Sequence, residues 1–247
     1  MAAGRIRVGI GGWTFEPWRG TFYPDGLRQK DELAYVGQHL TATEINATYY
    51  STQKPATFAN WAKAVPDGFQ FAVKASRFCT NRRVLAEADE SIAKFIGQGI
   101  AELGDRLGPI LWQFMPTKKF DPEDFGAFLK LLPGSIDGVP LRHALEVRHE
   151  SFDDPAFLQL ARDAGAAVVL ADHDEYPAIK GHDVGFSYLR LMRTREEEAT
   201  GYSPEDIEGW KKSAKSMVDR SDVFVFFISG AKVRAPAAAQ AMIVALK

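Results

Sequence analysis

The amino-acid sequence predicts a single α/β domain that spans residues 1–247 and folds as a (β/α)8 TIM-type barrel. Two observations support this fold class. Eight strand-like segments alternate with amphipathic helical segments, and no Ser/Gly-rich linker or change of composition divides the chain. A doubly wound open sheet is the alternative. Its weakness is the first strand-to-helix turn, Gly9-Ile10-Gly11-Gly12-Trp13, which lacks the glycine spacing of a dinucleotide-binding turn.

The strand candidates are short apolar runs that end in polar or turn-forming residues. They lie within 6–10, 43–46, 69–74, 109–114, 143–152, 167–171, 186–191 and 222–228. Only residues 173–185 separate the sixth candidate from the seventh, which is too short for a crossover helix with its two loops. The helix between strands six and seven is therefore predicted to be shortened or missing.

The helical segments carry apolar residues three and four positions apart. Leu33, Val36 and Leu40 predict the first helix, and apolar residues from position 92 to 103 predict one continuous helix after the third strand. Asp121, before Pro122, is a favourable N-cap for the helix after strand four. Further helices are predicted from Pro55, from Pro155, after Ser203-Pro204 and in the alanine-rich segment at the C-terminus.

Composition restricts the partners and the compartment. A net charge of −2 provides no overall attraction to nucleic acid or membrane, so such a partner would have to use a local patch. Cys79 is the only cysteine, which rules out an intramolecular disulfide and favours a reducing compartment. The N-terminus lacks the apolar core of a signal peptide, and the longest apolar run, 223–228, is too short to span a bilayer. We predict a cytoplasmic protein with no membrane partner.

Several motifs in the first two-thirds of the chain occur together in one known family. They are Gly11-Gly12-Trp13, Trp18-Arg19-Gly20, Phe22-Tyr23-Pro24, the segments 44–50, 66–74 and 108–114, and the segment 145–152. In these motifs the chain resembles the YecE-like family (domain of unknown function 72) of TIM-type barrels. The resemblance implies a barrel with a shared polar pocket, and no established activity. The chain departs from the family pattern at Met192, where members usually have a histidine, and at Ile228-Ser229-Gly230, where members tend to have asparagines.

In a (β/α)8 barrel the carboxyl ends of all strands meet on one face, so polar residues at strand ends are expected to converge. The candidates for acid/base or nucleophilic chemistry are Glu44, Lys74, Glu146 and Asp172, and those for holding or orienting a ligand are Asn46, Gln113, Arg148 and Arg190. Charges in such a pocket should be paired, since an unpaired buried charge is very costly. A purely structural ion-pair network is therefore the alternative to a functional site.

Three chemistries are compatible with these residues. Glu44 and Glu146 could form the acid and the base or nucleophile of a glycosidase. Lys74 could form a Schiff base if its pKa were lowered, although nearby carboxylates are expected to keep it protonated. A single Mg²⁺ could be held by Glu44, Glu146 and Asp172, and no other cofactor or metal ligand is predicted.

Basic and aromatic residues point to an anionic ligand that contains a ring. Arg77 follows strand three, Arg190 lies on strand seven, and the loops after strands seven and eight are the usual phosphate site of such barrels. In the first loop Trp13 and Trp18, with Arg19 between aromatic residues, could pack as a plug or stack a base or sugar ring, together with Tyr49.

The leading hypothesis is a hydrolase that acts on a phosphate-bearing, ring-containing ligand, nucleotide-like or a nucleic-acid segment. A phosphoester is the first choice of bond and a glycosidic bond the second. The alternatives are a non-catalytic module that binds nucleic acid or a phospho-ligand, and a sugar-processing enzyme that uses Glu44 and Glu146. The sequence alone does not decide whether the protein is an enzyme.

Overall fold

Short parallel strands form a barrel-like sheet. The structure, a computed structural model, describes residues 4–182, 184–218 and 221–247. The strands of the sheet are β1 (Ile6–Gly11), β2 (Ala42–Ile45), β3 (Gln70–Lys74), β4 (Leu107–Gln113), β7 (His143–Glu146), β8 (Ala167–Val168), β9 (Leu170–Asp172), β10 (Phe186–Leu191) and β11 (Asp222–Phe227). A small antiparallel hairpin, β5 (Ser135–Ile136) with β6 (Val139–Pro140), lies outside the sheet.

The sheet curves round until its two ends nearly meet. Its nine strands lie in the order β8-β7-β4-β3-β2-β1-β11-β10-β9, and every pair is parallel. The two end strands, β8 and β9, are separated in the chain only by Val169, whose N–H donates to the Leu145 carbonyl at 2.9 Å. The architecture is therefore a nearly closed α/β barrel of the TIM type.

Helices cover the outside of the sheet. They are α1 (Glu32–His39), α2 (Ala47–Tyr50), α3 (Pro55–Ala64), α4 (Arg77–Thr80), α5 (Asp89–Ile96), α6 (Pro122–Lys130), α7 (Pro155–Asp163), α8 (Pro204–Val218) and α9 (Ala235–Leu246). Between β9 and β10 no helix occurs in the described residues, which there exclude only position 183. No helix in the described ranges is both long and apolar enough to cross a membrane.

Two local predictions can be compared directly with the structure. Asp121 caps α6 as predicted, and its carboxylate accepts from the N–H groups of Glu123 and Asp124 at 3.0 and 3.1 Å. The continuous helix predicted across 92–103 is wrong, because α5 ends at Ile96 and a 3-10 helix begins at Ile100. Gly99 separates them with φ +107°, and a Cβ there would lie 2.6 Å from the Pro55 Cα, so only glycine fits.

Alternation along the strands divides the side chains between two faces. Small and aromatic residues line the barrel interior, among them Ala42, Ala72, Leu111, Ala144 and Tyr188. Because side chains of a strand alternate, the residue two positions further along each strand also faces the interior. Those residues, all at the carboxyl ends of their strands, are Glu44, Lys74, Gln113, Glu146 and Arg190.

The opposite end of the barrel is closed by a separate ion cluster. Asp222 Oδ2 accepts from Arg7 at 3.0 Å and from Arg142 at 3.3 Å, and both guanidinium groups lie against the Phe224 ring. Burial by itself would raise the pKa of Asp222, but the Arg5 N–H and the two arginines lower it overall. A ligand that reaches the interior would therefore have to enter from the carboxyl ends of the strands.

Candidate functional site

Arg190 lies between two buried glutamates at the top of the barrel. Its Nε and Nη2 donate to the two oxygens of Glu44 at 3.1 and 2.9 Å, and its Nη1 contacts Glu146 Oε2. Tyr188 donates its hydroxyl to Glu44 Oε2 at 2.8 Å. Glu44 and Glu146 are fully buried and Arg190 is 2% exposed, so these charges interact with little screening by water.

A second arginine joins the network from above. Arg148 Nε donates to Glu146 Oε1 at 2.7 Å and its Nη2 donates to Gln113 Oε1 at 2.9 Å. Its guanidinium carbon lies 4.5 Å from the centre of the Tyr176 ring, which stacks on His173. The Arg148 side chain is 16% exposed, so it forms part of the surface that a ligand would meet.

The network holds its members in their charged or neutral forms. Burial would raise the pKa of Glu146, but Arg190, Arg148 and Lys74 outweigh it and lower that pKa. For Arg190, burial opposes the charge and the two glutamates outweigh it, which raises its pKa. Burial, followed by the charge of Glu44, raises the pKa of Tyr188 well above the ordinary range. Glu146 is thus a carboxylate and Tyr188 a neutral donor at neutral pH.

Lys74 differs from the other charged residues of the interior. Its Nζ lies 4.3 Å from the centre of the Tyr49 ring, and it makes no hydrogen bond or close ion pair with any residue that the structure describes. Burial, followed by the charge of Arg190, lowers its pKa from 10.5 to about 8, although Glu44 and Glu146 act in the opposite direction. The expectation that the carboxylates keep Lys74 fully protonated is therefore wrong, because both are already bound by arginine.

The structure does not bring Asp172 into this group. It pairs in register with Leu191, the neighbour of Arg190, and so faces the outside of the sheet. There it accepts from the Tyr202 hydroxyl at 2.7 Å and from Arg193 at 2.6 Å. In the described ranges no three His, Cys, Asp or Glu side chains are grouped so that they could hold a metal ion. The magnesium site on Glu44, Glu146 and Asp172 is thus not formed.

The aromatic loop packs against the outside of the barrel. Trp18 is fully buried and donates from Nε1 to the Lys232 carbonyl at 3.0 Å, while Trp13 packs edge-to-face on Trp61 and on Phe71, which lies on the outer face of β3. Arg19 is bound to Glu32 of α1 at 2.9 Å. Trp13, Trp18 and Arg19 therefore lie away from Lys74, and the predicted ligand-stacking role does not fit their positions.

The remaining predicted ligand residues lie around the rim. Tyr49 supports Lys74, as described above. Asn46 is half-buried beside the end of β1, with its Nδ2 3.2 Å from where a Cβ on Gly11 would lie. Arg77 is exposed at the start of α4 and lies over the Phe78 ring, outside the central group.

The rim after β10 and β11 carries cations that are already paired. Arg193 binds Asp172 and Asp174, and Arg195 binds Asp206 at 3.0 Å and Glu198 at 3.5 Å. The cations of these two loops are therefore largely neutralised by neighbouring carboxylates. This weakens the expectation that the loops after strands seven and eight form the phosphate site.

Two members of the site were missed from the sequence. Tyr188 lies two residues before Arg190 on the same face of β10, so the alternation that predicts Arg190 also points to it. Tyr176 comes from the loop after β9, where no regular pattern indicates that its ring reaches Arg148.

We expect the Cys79 thiol to be inert in the folded protein. It is fully buried, and burial raises its pKa to about 12 even though Arg82 acts to lower it. Titration with a chromogenic disulfide reagent at pH 8 should give negligible labelling of the native protein and one equivalent after unfolding in denaturant. Rapid stoichiometric labelling without denaturant would contradict this burial and would reopen Cys79 as a nucleophile.

The fold and the site define a TIM-barrel-like α/β protein with a buried charge network at the carboxyl ends of its strands. Residues 7–247 match the family model described as "Protein of unknown function DUF72". The chain belongs to this family, which confirms the resemblance drawn from its motifs.

Known proteins and structures agree with this assignment. The chain is 24% identical over 258 residues to the UPF0759 protein YunF of Bacillus subtilis (strain 168), covering 90% of this chain and 88% of that protein. A crystal structure of a DUF72 family protein from Enterococcus faecalis V583 superposes with a TM-score of 0.77 at 20% identity, covering 98% of this chain and 95% of the other. One from Thermotoga maritima MSB8 gives 0.75 at 23% identity, covering 97% and 98%.

A more distant structural neighbour carries a functional name. The crystal structure of SacUVDE, related to UV damage endonuclease, superposes with a TM-score of 0.58 at 12% identity, covering 98% of this chain and 97% of the other. At this identity the likeness shows a shared fold only.

Proposed function

We propose that this protein is a hydrolase that cleaves a phosphoester of a ring-containing ligand bound at the carboxyl ends of the strands. The observation that carries the proposal is the unmatched amine of Lys74. Within the described interior network Glu44 and Glu146 are balanced by Arg190 and Arg148, and Lys74 has no carboxylate of its own. A bound phosphate would supply the missing negative charge.

The residues around Lys74 suit an anionic ligand. The partly exposed guanidinium of Arg148 and the half-buried amide of Gln113 lie at the top of the network. Arg190 has its donors occupied by Glu44, Glu146 and Gln113, so its role is to fix the two glutamates rather than to bind the ligand. Phosphate binding is therefore assigned to Lys74 and Arg148, and orientation to Gln113.

In the proposed reaction Lys74 acts as a general acid. Its ammonium group donates a proton to the leaving oxygen while water attacks phosphorus and the phosphorus–oxygen bond breaks. The proton lost by the attacking water passes to solvent, from which the amine regains its own. An amine with a pKa of about 8 is a stronger acid than an ordinary lysine, and general acids of this kind contribute about 10²- to 10⁴-fold.

We also infer that β8 and β9 are two halves of one strand interrupted at Val169, which gives a single (β/α)8 barrel without a helix between strands six and seven. Each half pairs with a different neighbour, β7 or β10, as the two sides of one barrel strand would. In such barrels the active site lies at the carboxyl ends of the strands, where Lys74 is found.

The sugar-processing alternative has less support. A glycosidase acid must hold its proton near neutral pH, which requires a raised pKa. The pKa of Glu146 is lowered, and both oxygens of Glu44 accept hydrogen bonds from Arg190. A non-catalytic phospho-ligand module remains the rival, since Lys74 and Arg148 could bind a phosphate without turnover.

The pH dependence of phosphodiester cleavage tests the proposal. Because protonated Lys74 is the active form, kcat/KM for a dinucleoside monophosphate should be constant below pH 8 and fall about tenfold per pH unit above it. A nitrophenyl phosphodiester should show a weaker fall, since its leaving group needs no proton. An increase of kcat/KM through pH 8 would contradict the acid role. Binding without turnover of either ester would support the rival module.

A further inference from the structure

Two neighbouring cavities form a continuous groove outside the network, which we call the rim groove. The first, of about 310 Å³, is lined by residues that include Tyr50, Phe78, Arg82 and Lys94. The second, of about 470 Å³, lies between the loops after β3 and β4. Arg82 lines both cavities, so a bound chain could pass from one into the other.

The rim groove is strongly cationic. Arg83, Lys118 and Lys119 join Arg82 in the second cavity, and among the described residues that line either cavity none is an aspartate or glutamate. Lys118 is paired with Asp124 at 2.7 Å. Arg83 and Lys119 are exposed, and their side chains make no hydrogen bond or ion pair with any described residue. Unlike the arginines after β10, these cations are free to bind an anion.

Exposed apolar side chains are concentrated at the same groove. Tyr50 and Phe78, 64% and 62% exposed, line the first cavity, and Met115, 39% exposed, lines the second. Large aromatic rings beside unpaired cations are the arrangement that proteins use to stack the bases of single strands while binding their phosphates. Solubility would explain the cations but not the exposed rings.

The rim groove leads to Lys74. Asn81 lines the second cavity and donates from Nδ2 to the Tyr49 hydroxyl at 3.1 Å. The Tyr49 ring contacts Lys74 on one side and packs edge-to-face on Tyr50, in the first cavity, at 5.0 Å. A strand in the groove would therefore pass next to the reactive amine.

We infer that the rim groove binds single-stranded nucleic acid and presents one of its phosphodiesters to Lys74. The identity of the bond that is cleaved rests on the proposed function, whereas binding in the groove does not.

Fluorescence anisotropy with a labelled thymidine oligonucleotide of about 15 nucleotides tests this inference. The double substitution Arg83→Ala/Lys119→Ala should weaken binding and reduce the slope of log K against log salt by about 2. Tyr50→Ala/Phe78→Ala should weaken binding about tenfold or more and leave the slope unchanged. The matched control Lys212→Ala/Lys215→Ala, which removes two exposed cations from α8, should bind like the original protein.

Several outcomes would overturn the inference. They are equal loss in the Arg83/Lys119 and Lys212/Lys215 variants, no effect of the two ring substitutions, or equally tight binding of polyglutamate or of a DNA duplex. The Lys74→Met variant separates the two proposals. Oligonucleotide binding without cleavage by the original protein would leave the groove inference standing and reject hydrolysis. Cleavage of dinucleoside phosphates without binding of the longer strand would do the reverse.

Discussion

Substitution of Arg190 by methionine is expected to lower the free energy of unfolding by about 3–5 kcal/mol. Arg190 is the shared partner of Glu44 and Glu146, which are fully buried. Its loss leaves one carboxylate with a single tyrosine partner and the other with Arg148 alone. Chemical denaturation at neutral pH, followed by circular dichroism, measures the change.

The matched control is Arg28→Met. Arg28 pairs with Asp31 at 2.7 Å, but its side chain is 70% exposed, so water screens this pair. Its removal should change the free energy of unfolding by less than about 1 kcal/mol. Equal effects of the two substitutions would mean that the buried network contributes no more than a surface ion pair. If Arg190→Met does not fold, Arg190→Lys, which keeps the charge, should fold and be destabilised less.

The same network determines how the original protein responds to acid. The pKa of Glu146 is lower in the folded state than in the unfolded chain, so its stabilising effect is complete above the ordinary glutamate range. That effect is lost as pH falls below this range towards the folded-state pKa. In Arg190→Met the unpaired carboxylates should favour protonation, so the stability difference between the two proteins should shrink as pH is lowered from 7 to about 4.

Substitution of Lys74 by methionine is expected to reduce kcat/KM for a dinucleoside monophosphate by about 10²- to 10⁴-fold. Methionine fills similar space but provides neither a charge for the phosphate nor a proton for the leaving oxygen. Because Lys74 has no ion-pair partner to leave behind, the variant should be as stable as the original protein or more so. Steady-state kinetics combined with denaturation measures both effects.

Lys74→Arg separates binding from proton donation. Arginine keeps a positive charge but does not release its proton near neutral pH, so KM should change little while kcat falls. Lys63→Met removes an exposed lysine of α3 and serves as the control that should retain full activity. Full turnover by Lys74→Arg would show that the charge of Lys74 matters and its proton does not.

Much of this fold and part of the site follow from alternation in the sequence. Glu44, Lys74, Gln113, Glu146 and Arg190 share one face because each lies two residues beyond a small or aromatic interior residue. Asp172 was misplaced because the end of the sixth strand candidate was clear while its register was not. The pairing of Asp172 with Leu191, rather than with Arg190, sends its carboxylate to the outer face.

Other features depend on contacts between distant parts of the chain. The broken helix at Gly99 is set by the close approach of Pro55, which lies more than one element away. The lowered pKa of Lys74 could not be predicted from nearby carboxylates alone, because two arginines already bind them. Such a charge balance becomes visible only when every partner has been placed.

The pKa of Lys74 itself is the most direct test of the central claim. Competitive acetylation at a series of pH values, with the modified peptides quantified by mass spectrometry, reports the fraction of each lysine that is unprotonated. Lys74 should give a midpoint near pH 8, while the exposed Lys63 titrates near 10.5. A midpoint for Lys74 at or above 10.5 would show that the carboxylates do neutralise it, and would contradict both the unmatched amine and the mechanism built on it.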